Sequence, residues 1–298
     1  TTEKIFDEAL KNILSEDEIL KDEPMKHHTT FRVGGPAEYY LRPKKEQVAE
    51  VLRLCLTYQK EYLIIGNGSN LLVSDKGISG VVIEIGKQMD EITVDGTTIY
   101  AQAGAMLSKT AHAALEAGLT GMEFAAGIPG CVGGAVVMNA GAYGGEMKDI
   151  LKSVTVLTAD GQEKELTPGE LDMSYRHSSI TEEHYMVLGV TIALEAGSQE
   201  QIRAKMEELK EKRVEKQPLE YPSAGSTFKR PVGYFAGKLI MDAGLRGFQV
   251  GGAAVSEKHC GFVINKEKAT ASDVYRLIQE VQQEVYRQFG VKLETEVK

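Results

Sequence analysis

Residues 121–145 read GMEFAAGIPGCVGGAVVMNAGAYGG, and this stretch decides how the rest of the chain is interpreted. It holds eight glycines and five alanines in 25 residues, so it has little side-chain volume for a core. Because glycine loses much entropy on ordering, such a run implies a backbone that must approach something closely. A flexible linker would be polar, whereas this stretch carries Phe124, Ile128 and Val132. We therefore predict a compact wall whose backbone N–H groups face a large cofactor.

A second glycine-rich segment, residues 66–70, follows the apolar run 62–65, which we predict to be a strand. A strand that leads into a glycine turn often holds phosphate through its backbone N–H groups. The dinucleotide fingerprint is incomplete, because Leu71 stands where its third glycine is required. A Rossmann unit is therefore disfavoured. From the residues alone, a phosphate loop and a simple hairpin turn have equal support.

The bulk composition limits the kinds of partner that the chain could have. Its 298 residues are 42% hydrophobic, enough for a sizeable core divided into two or three lobes. The formal net charge is −9, and no basic block occurs. We therefore expect no nucleic-acid partner and no membrane insertion, whereas anionic small molecules remain possible ligands. No run of eighteen apolar residues and no signal peptide is visible.

The cysteine pattern indicates a reducing compartment. Cys55, Cys131 and Cys260 are odd in number, widely spaced and without a CxxC pair. This pattern predicts a cytoplasmic protein and argues against a zinc site. The adjacent His27 and His28 could ligate a metal, but neighbouring strand positions face opposite sides, so no metal is expected.

Hydrophobic periodicity outlines the elements. A polar helix over residues 198–217 marks the domain boundary, which we place between residues 1–197 and 198–298. Thr270 and Asp273 predict a capping box, and Gly290 is expected to end the last helix. The predicted helices cover residues 5–14, 46–60, 107–118, 198–217, 234–242 and 272–289, and the predicted strands cover residues 38–42, 62–65, 81–85, 91–94, 97–101, 154–157, 163–166 and 186–194.

Five sequence blocks carry a specific resemblance. They are GNGSNLL at 66–72, GIPGCVGGAVVMNAGAYG at 127–144, YRHS at 175–178, AGSTFKRP at 224–231 and LETEV at 293–297. Each block alone is modest evidence. In this order, over essentially the whole chain, they closely resemble the bacterial UDP-N-acetylenolpyruvoylglucosamine reductase family.

The resemblance implies an α+β protein. It implies an FAD-binding fold of the vanillyl-alcohol-oxidase (PCMH) type, with two subdomains at about residues 1–70 and 71–197. A C-terminal α+β substrate-binding domain would follow, with Glu296 returning to the active site. In this family FAD is held noncovalently, and NADPH reduces it. UDP-N-acetylglucosamine enolpyruvate is then reduced to UDP-N-acetylmuramate for peptidoglycan synthesis. We expect a monomer or weak oligomer.

The resemblance also implies which residues hold the cofactor. The first glycine loop in chain order, residues 66–70, would contact the FAD pyrophosphate, and residues 127–140 would line the flavin, which agrees with the interpretation of both segments given above. The predicted cofactor-binding residues are Gly66, Asn67, Gly68, Ser69, Asn70, Gly127, Ile128, Pro129, Gly130, Gly133, Gly134, Asn139 and Ala140.

Three further residues resemble the family's catalytic groups. Hydride addition to an enolpyruvyl carbon places negative charge on the carboxylate and requires a proton at C2. Arg176 resembles the arginine that holds the carboxylate, since a guanidinium fork binds it bidentately. Ser226 resembles the proton donor, and Glu296 resembles the acid facing the carboxylate, where an upward pKa shift is expected. Without the resemblance these residues would be interpreted as a surface ion pair, a turn hydroxyl and a frayed terminal charge.

Substrate contacts are expected from three more positions. Tyr175 borders Arg176, and Lys229 and Arg230 follow Ser226 closely enough to face a diphosphate. Many family members carry asparagine where this chain has Arg230.

Two other functions compete with the reductase. A flavin oxidase of the same fold would often tether FAD through a histidine in the first glycine loop, and residues 66–72 contain no histidine. A flavin- or nucleotide-binding regulatory module would leave Ser226 and Glu296 without a role.

Overall fold

The computed structural model describes residues 1–298. None of its helices is both long enough and apolar enough to cross a membrane. The helices are α1 (Thr2–Lys11), α2 (Lys45–Thr57), α3 (Leu107–Glu116), α4 (Val132–Met138), α5 (Gln199–Lys216), α6 (Ala236–Asp242) and α7 (Ala271–Phe289).

The strands number seventeen, several of them only two residues long. They are β1 (Ile19–Pro24), β2 (Pro36–Leu41), β3 (Tyr62–Ile65), β4 (Ile78–Glu84), β5 (Ile92–Asp95), β6 (Thr98–Gln102), β7 (Leu119–Thr120), β8 (Gly141–Ala142), β9 (Gly145–Glu146), β10 (Leu151–Leu157), β11 (Glu163–Leu166), β12 (Met186–Ala193), β13 (Glu195–Ala196), β14 (Ser223–Ser226), β15 (Gln249–Val250), β16 (Ala253–Val255) and β17 (Phe262–Asn265).

The chain forms two compact units, and neither is a continuous segment. Unit 1 comprises Thr1–Lys21, Tyr39–Asn67 and Gly80–Glu211, and unit 2 comprises Asp22–Glu38, Gly68–Ser79 and Lys212–Lys298. The predicted division at residues 197 and 198 differs from this one, because unit 2 also takes two early segments and its last segment begins inside α5.

Unit 1 is built around a five-stranded antiparallel sheet with the order β11-β10-β12-β6-β5. The predicted strands 154–157 and 163–166 are confirmed within β10 and β11, which form an antiparallel hairpin with Leu157 opposite Glu163. Helix α4 lies against β12 and β6, so the glycine-rich stretch rests on the middle of this sheet. A second sheet has the order β1-β2-β4-β3, in which β3 and β4 run parallel.

Unit 2 packs α7 against an antiparallel sheet with the order β14-β17-β16-β15. Its core joins distant parts of the chain, since Phe31 and Val33 are buried together with Leu293 and Val297. The predicted capping box is present, because Asp273 N–H donates to Thr270 Oγ1 at 3.0 Å. Gly290 ends α7 at φ 68°, as predicted.

Candidate active site

The glycine-rich stretch folds partly as the short helix α4, which was not predicted. Gly134, Val137 and Met138 lie on one face of α4, where Gly134 is exposed and the other two are half-buried. The opposite face, which includes Val132 and Val136, is buried in the core of unit 1. The stretch therefore presents a small apolar surface to its surroundings.

The start of α4 is bonded to the protein itself. Val132 N–H donates to the carbonyl of Ala105 at 2.9 Å, and Gly133 N–H donates to the carbonyl of Ala103 at 2.8 Å. A Cβ atom on Gly133 would lie 3.0 Å from the Cβ of Ala103, so this glycine permits close packing. These two N–H groups do not face a cofactor, which corrects part of the predicted backbone wall.

The turn after β3 lies against the same stretch. A Cβ atom on Gly66 would lie only 2.2 Å from Cys131 Sγ, so the thiol occupies the space beside Gly66. Since β3 and β4 are parallel, residues 66–70 are not the turn of a hairpin joining these strands. The simple hairpin turn is therefore excluded, and the phosphate loop stays a prediction.

Arg176 lies at the tip of a tight turn in unit 1. Ser174 and His177 exchange backbone hydrogen bonds of 3.0 and 3.1 Å, which leaves Tyr175 and Arg176 as the two turn residues. Arg176 has a left-handed φ of 51°. Its guanidinium carbon lies 5.8 Å from the centre of the exposed Tyr175 ring.

Two hydrogen bonds join this turn to α4. Asn139, which ends α4 in the left-handed region at φ 46°, donates from Nδ2 to the Ser174 carbonyl at 2.9 Å. Ser178 donates from Oγ to the Val137 carbonyl at 2.6 Å. Unit 1 thus brings Asn139 together with the predicted Tyr175 and Arg176 pair.

The second half of the first glycine loop belongs to unit 2. Gly68 has φ 67°, and a Cβ atom there would lie 2.1 Å from the His28 carbonyl oxygen. The loop is held from the C-terminal end of the chain. Lys298 N–H donates to the Asn70 carbonyl at 3.1 Å, and Leu72 N–H donates to the Lys298 carbonyl at 3.0 Å.

The segments that carry Ser226 and Glu296 are joined by main-chain pairing within unit 2, through Thr227 and Phe228. Ser226 is exposed at the end of β14, directly after Gly225 at φ 72°. Glu296 N–H donates to the Thr227 carbonyl at 2.8 Å, and Phe228 is paired with Thr295. Glu296 itself is 8% exposed, so it is not a frayed terminal charge.

Lys229 and Arg230 continue the same segment and are exposed. Lys229 N–H donates to the Glu294 carbonyl at 2.8 Å, which extends the pairing. The Arg230 guanidinium carbon lies 4.2 Å from the centre of the Phe235 ring, a cation–π contact with a half-exposed aromatic.

Asn139 was predicted as a cofactor-binding residue, but its structural bond and that of Ser178 were missed. Ser178 stands in the quoted YRHS block, and Asn139 follows an apolar helical run at a position where asparagine often adopts the left-handed conformation. That signal was available for Asn139. For Ser178 the sequence alone could not indicate a bond to a residue 41 positions earlier.

Asp75 was also missed, and it holds the start of α7. Its carboxylate accepts from the N–H groups of Ala271 at 2.9 Å and Ser272 at 3.1 Å. Burial raises the pKa of Asp75, but these hydrogen bonds outweigh it and lower the pKa below its usual value.

No group of three His, Cys, Asp or Glu side chains is arranged to hold a metal ion.

Two family models match this chain. The model of the UDP-N-acetylenolpyruvoylglucosamine reductase C-terminal domain matches residues 217–298. The model of an FAD binding domain matches residues 37–167. The matched regions lie on either side of α5 and include most of the predicted site residues.

Relatives that align over nearly the whole chain carry the same family name. A UDP-N-acetylenolpyruvoylglucosamine reductase from Agathobacter rectalis is 59% identical over 292 residues, covering 94% of this chain and 93% of the relative. The reductase of the same name from Geobacillus thermodenitrificans is 52% identical over 292 residues, covering 98% and 96%.

Solved structures support the same fold. The UDP-N-acetylenolpyruvylglucosamine reductase of Thermus caldophilus aligns with a TM-score of 0.80 at 37% identity, covering 92% of this chain and 96% of that one. A Phl p 4 variant, a glucose oxidase, aligns with a TM-score of 0.52 over 64% of this chain and 44% of that one. At 15% identity the second likeness shows the fold alone, and it confirms the predicted oxidase-type FAD-binding architecture.

Proposed function

The chain belongs to the UDP-N-acetylenolpyruvoylglucosamine reductase family, and from that membership we propose which of its residues carry the reaction. The chain is an FAD-dependent reductase that converts UDP-N-acetylglucosamine enolpyruvate to UDP-N-acetylmuramate with NADPH, in peptidoglycan precursor synthesis. The observation that carries this conclusion is 59% identity to a reductase over nearly the whole of both chains.

The glycine-rich stretch is suited to hold a flavin. A Cβ atom on Gly134 would meet only Cys131 Sγ, at 3.8 Å, so the exposed face of α4 is open above this residue. Val137 and Met138 continue that face with apolar side chains, as a flat ring system requires. When bound, FAD supplies the hydride that reduces the substrate alkene. The chain must orient the alkene, hold its carboxylate and provide a proton.

Arg176 is proposed to hold the substrate carboxylate. A guanidinium remains protonated at any physiological pH and donates two parallel hydrogen bonds to a carboxylate. Negative charge develops on this group as hydride arrives, so fixed donors stabilise the transition state more than the ground state. The turn between Ser174 and His177 provides the fixed backbone.

Ser226 is proposed to deliver the proton to C2, and Glu296 to share a proton with the substrate carboxylate. An exposed hydroxyl at a strand end can reach a ligand, as Ser226 does not lie in the core. Burial disfavours a charged carboxylate, which suits the proposed protonated role of Glu296. The pairing of residues 227–229 with 294–296 brings the neighbouring Ser226 and Glu296 segments together, which supports a shared role.

The remaining assignments concern binding and location. Lys229 and Arg230 are proposed to face the diphosphate, and Tyr175 to border the substrate. Gly66–Asn67 and Gly68–Asn70, with residues 127–140, are proposed to contact FAD. A cytoplasmic location is also proposed, and it is supported by three cysteines that are all free thiols.

The proposed role of Ser226 is tested by measuring the two half-reactions, flavin reduction and flavin reoxidation, separately in the variant Ser226→Ala. NADPH should still bleach the flavin absorbance of the variant. Reoxidation by the enolpyruvyl substrate should slow about 100-fold or more, because general acid catalysis contributes on this scale. Flavin absorbance in a stopped-flow instrument measures both rates.

Ser223→Ala on the same strand β14 is the matched control and should keep both rates. Equal loss of both half-reactions in Ser226→Ala would contradict the proton-donor role. Flavin that stays with acid-precipitated protein would favour a covalent flavin oxidase instead.

A further inference from the structure

The Arg176 turn adopts a conformation that needs external support. A non-glycine residue at a left-handed φ is strained, and such strain persists only where the surroundings fix it. The turn has two residues and two backbone bonds, and its tip carries the half-buried Arg176. The support must therefore come from the residues that hold Ser174 and Ser178.

Asn139 provides one support and is itself fixed. Its side chain is 1% exposed, and both ends of its amide are engaged. Nδ2 donates to the Ser174 carbonyl at 2.9 Å, and Oδ1 accepts from Lys148 N–H at 2.9 Å. Because Asn139 also ends α4, one residue links the last turn of that helix to the start of the Arg176 turn.

We propose that Asn139 is a positioning residue for Arg176, and this inference rests on the function proposed above. Ser178 is its counterpart after the turn, through Oγ to Val137 at 2.6 Å. The two bonds attach both sides of the turn to α4, whose exposed face is the proposed flavin wall. The amide of Asn139 thus sets the position of the Arg176 guanidinium relative to that wall. Because this amide is engaged in hydrogen bonds, the predicted contact of Asn139 with FAD would be made by its main chain.

The variant Asn139→Asp tests this role with almost no change of volume. Aspartate keeps the acceptor for Lys148 N–H but replaces the donor to Ser174 with an oxygen that repels its carbonyl. UDP-N-acetylmuramate carries the carboxylate, whereas UDP-N-acetylglucosamine lacks it. Calorimetry should therefore show affinity for UDP-N-acetylmuramate falling about tenfold, with affinity for UDP-N-acetylglucosamine unchanged.

A double-mutant cycle separates positioning from general structural support. In the Arg176→Ala background, Asn139→Asp should cause no further loss of UDP-N-acetylmuramate affinity, because the guanidinium that it positions is gone. Per bound flavin, the substrate-dependent rate of Asn139→Asp should fall at least tenfold more than its NADPH-dependent rate. Additive losses, or equal losses for both nucleotides, would overturn the inference.

Ser178→Ala provides an independent variant if the buried aspartate prevents folding. It removes only the hydrogen bond to Val137. It should also weaken the binding of UDP-N-acetylmuramate and leave the binding of UDP-N-acetylglucosamine unchanged. If Asn139→Asp does not fold, unchanged affinity of Ser178→Ala for UDP-N-acetylmuramate would by itself overturn the inference. If the unsubstituted enzyme does not oxidise its flavin with the enolpyruvyl substrate, the proposed function fails instead.

Discussion

Gly66 occupies a position where close packing leaves no room for a side chain. The position beside it is filled by Cys131 Sγ, which would lie 2.2 Å from an added Cβ atom. Both residues belong to the proposed FAD-binding loops, so the thiol packs one glycine segment against the other. The buried Cys131 therefore has a spacing role rather than a chemical one.

Gly66→Ala should destabilise the protein by about 1 to 3 kcal/mol through overpacking. Adding Cys131→Ala should restore most of that loss, because the remaining Cys131 Cβ position lies 3.6 Å from the new methyl group. Thermal unfolding of both variants measures this. Gly134→Ala, whose Cβ would lie 3.8 Å from the same sulfur, is the control and should unfold like the parent. A double variant no more stable than Gly66→Ala would contradict the packing explanation.

Residue roles were only partly predictable. The two glycine-rich segments were singled out by local sequence rules, whereas Arg176, Ser226 and Glu296 were assigned only by resemblance to a family. Their contacts depend on residues far away in sequence, such as the pairing of Thr227 with Glu296. Local sequence patterns carry no information about contacts between residues that are far apart in the chain. The hydrogen bonds of Asn139 and Ser178 were therefore missed.

At the scale of elements, the C-terminal segment and the first glycine loop support each other. Lys298 bonds to Asn70 and Leu72 through main-chain atoms only, so its side chain is replaceable there. Two residues earlier, Glu296 is bonded to Thr227. The same segment therefore contacts both the loop proposed for pyrophosphate and the strand that carries Ser226.

Lys298→Pro should weaken FAD binding about tenfold, because proline has no N–H to donate to Asn70. Lys298→Ala keeps this N–H and should bind FAD like the parent, which makes it the matched control. Fluorescence titration of the apoprotein with FAD measures both affinities. Equal affinities of the two variants would show that the hydrogen bond to Asn70 does not hold the loop.

Helix α7 depends on a cap supplied from another segment. Because the pKa of Asp75 is lowered in the folded chain, its carboxylate stabilises the fold above its unfolded pKa of about 3.8. That contribution is lost as the pH falls through the lowered folded value. Asp75→Asn should therefore cost about 1 kcal/mol at neutral pH, because a charged acceptor at a helix N-terminus is stronger than a neutral one, and its difference from the parent should shrink as the pH falls below about 4.

Urea unfolding across this pH range measures the effect. Asp95→Asn changes an exposed aspartate before a turn glycine, where asparagine is equally suitable, and serves as the control for the loss of one carboxylate. A constant difference between Asp75→Asn and the parent at every pH would exclude the ionised cap.

Regular elements were predicted where one physical signal dominates. Helix α7 was found within one residue, since apolar spacing and the capping box agree. Helix α4 was missed because Gly133 and Gly134 have poor helix propensity and the helix is only seven residues long. Its stability comes from packing on β12 and β6, which the local sequence does not contain.

At the scale of the molecule, unit 2 is more than the C-terminal domain that the sequence suggested. Residues 217–298 match a family model of their own. The core of unit 2 nevertheless includes Phe31, which is fully buried, and Val33, which is almost fully buried. In addition, α7 is capped by Asp75. The predicted boundary does not include these residues, because nothing in their composition marks a change of domain.

A fragment of residues 212–298 should therefore not fold cooperatively. Burial of Phe31 and Val33 contributes about 3 to 6 kcal/mol, a large share of the stability of a small domain. Circular dichroism during urea titration should show a broad change for the fragment and a sharp one for the full chain. A sharp transition in the fragment would show that the early segments are dispensable.

The order of the units along the chain has a consequence for biosynthesis. The polypeptide passes from one unit to the other after residues 21, 38, 67, 79 and 211. Val297 belongs to the same core as Phe31, so the ribosome must translate nearly all of these 298 codons before that core can close. Nascent chains with residues 1–211 outside the ribosome should already protect unit 1 from protease, while Phe31 still lacks its core neighbours Leu293 and Val297.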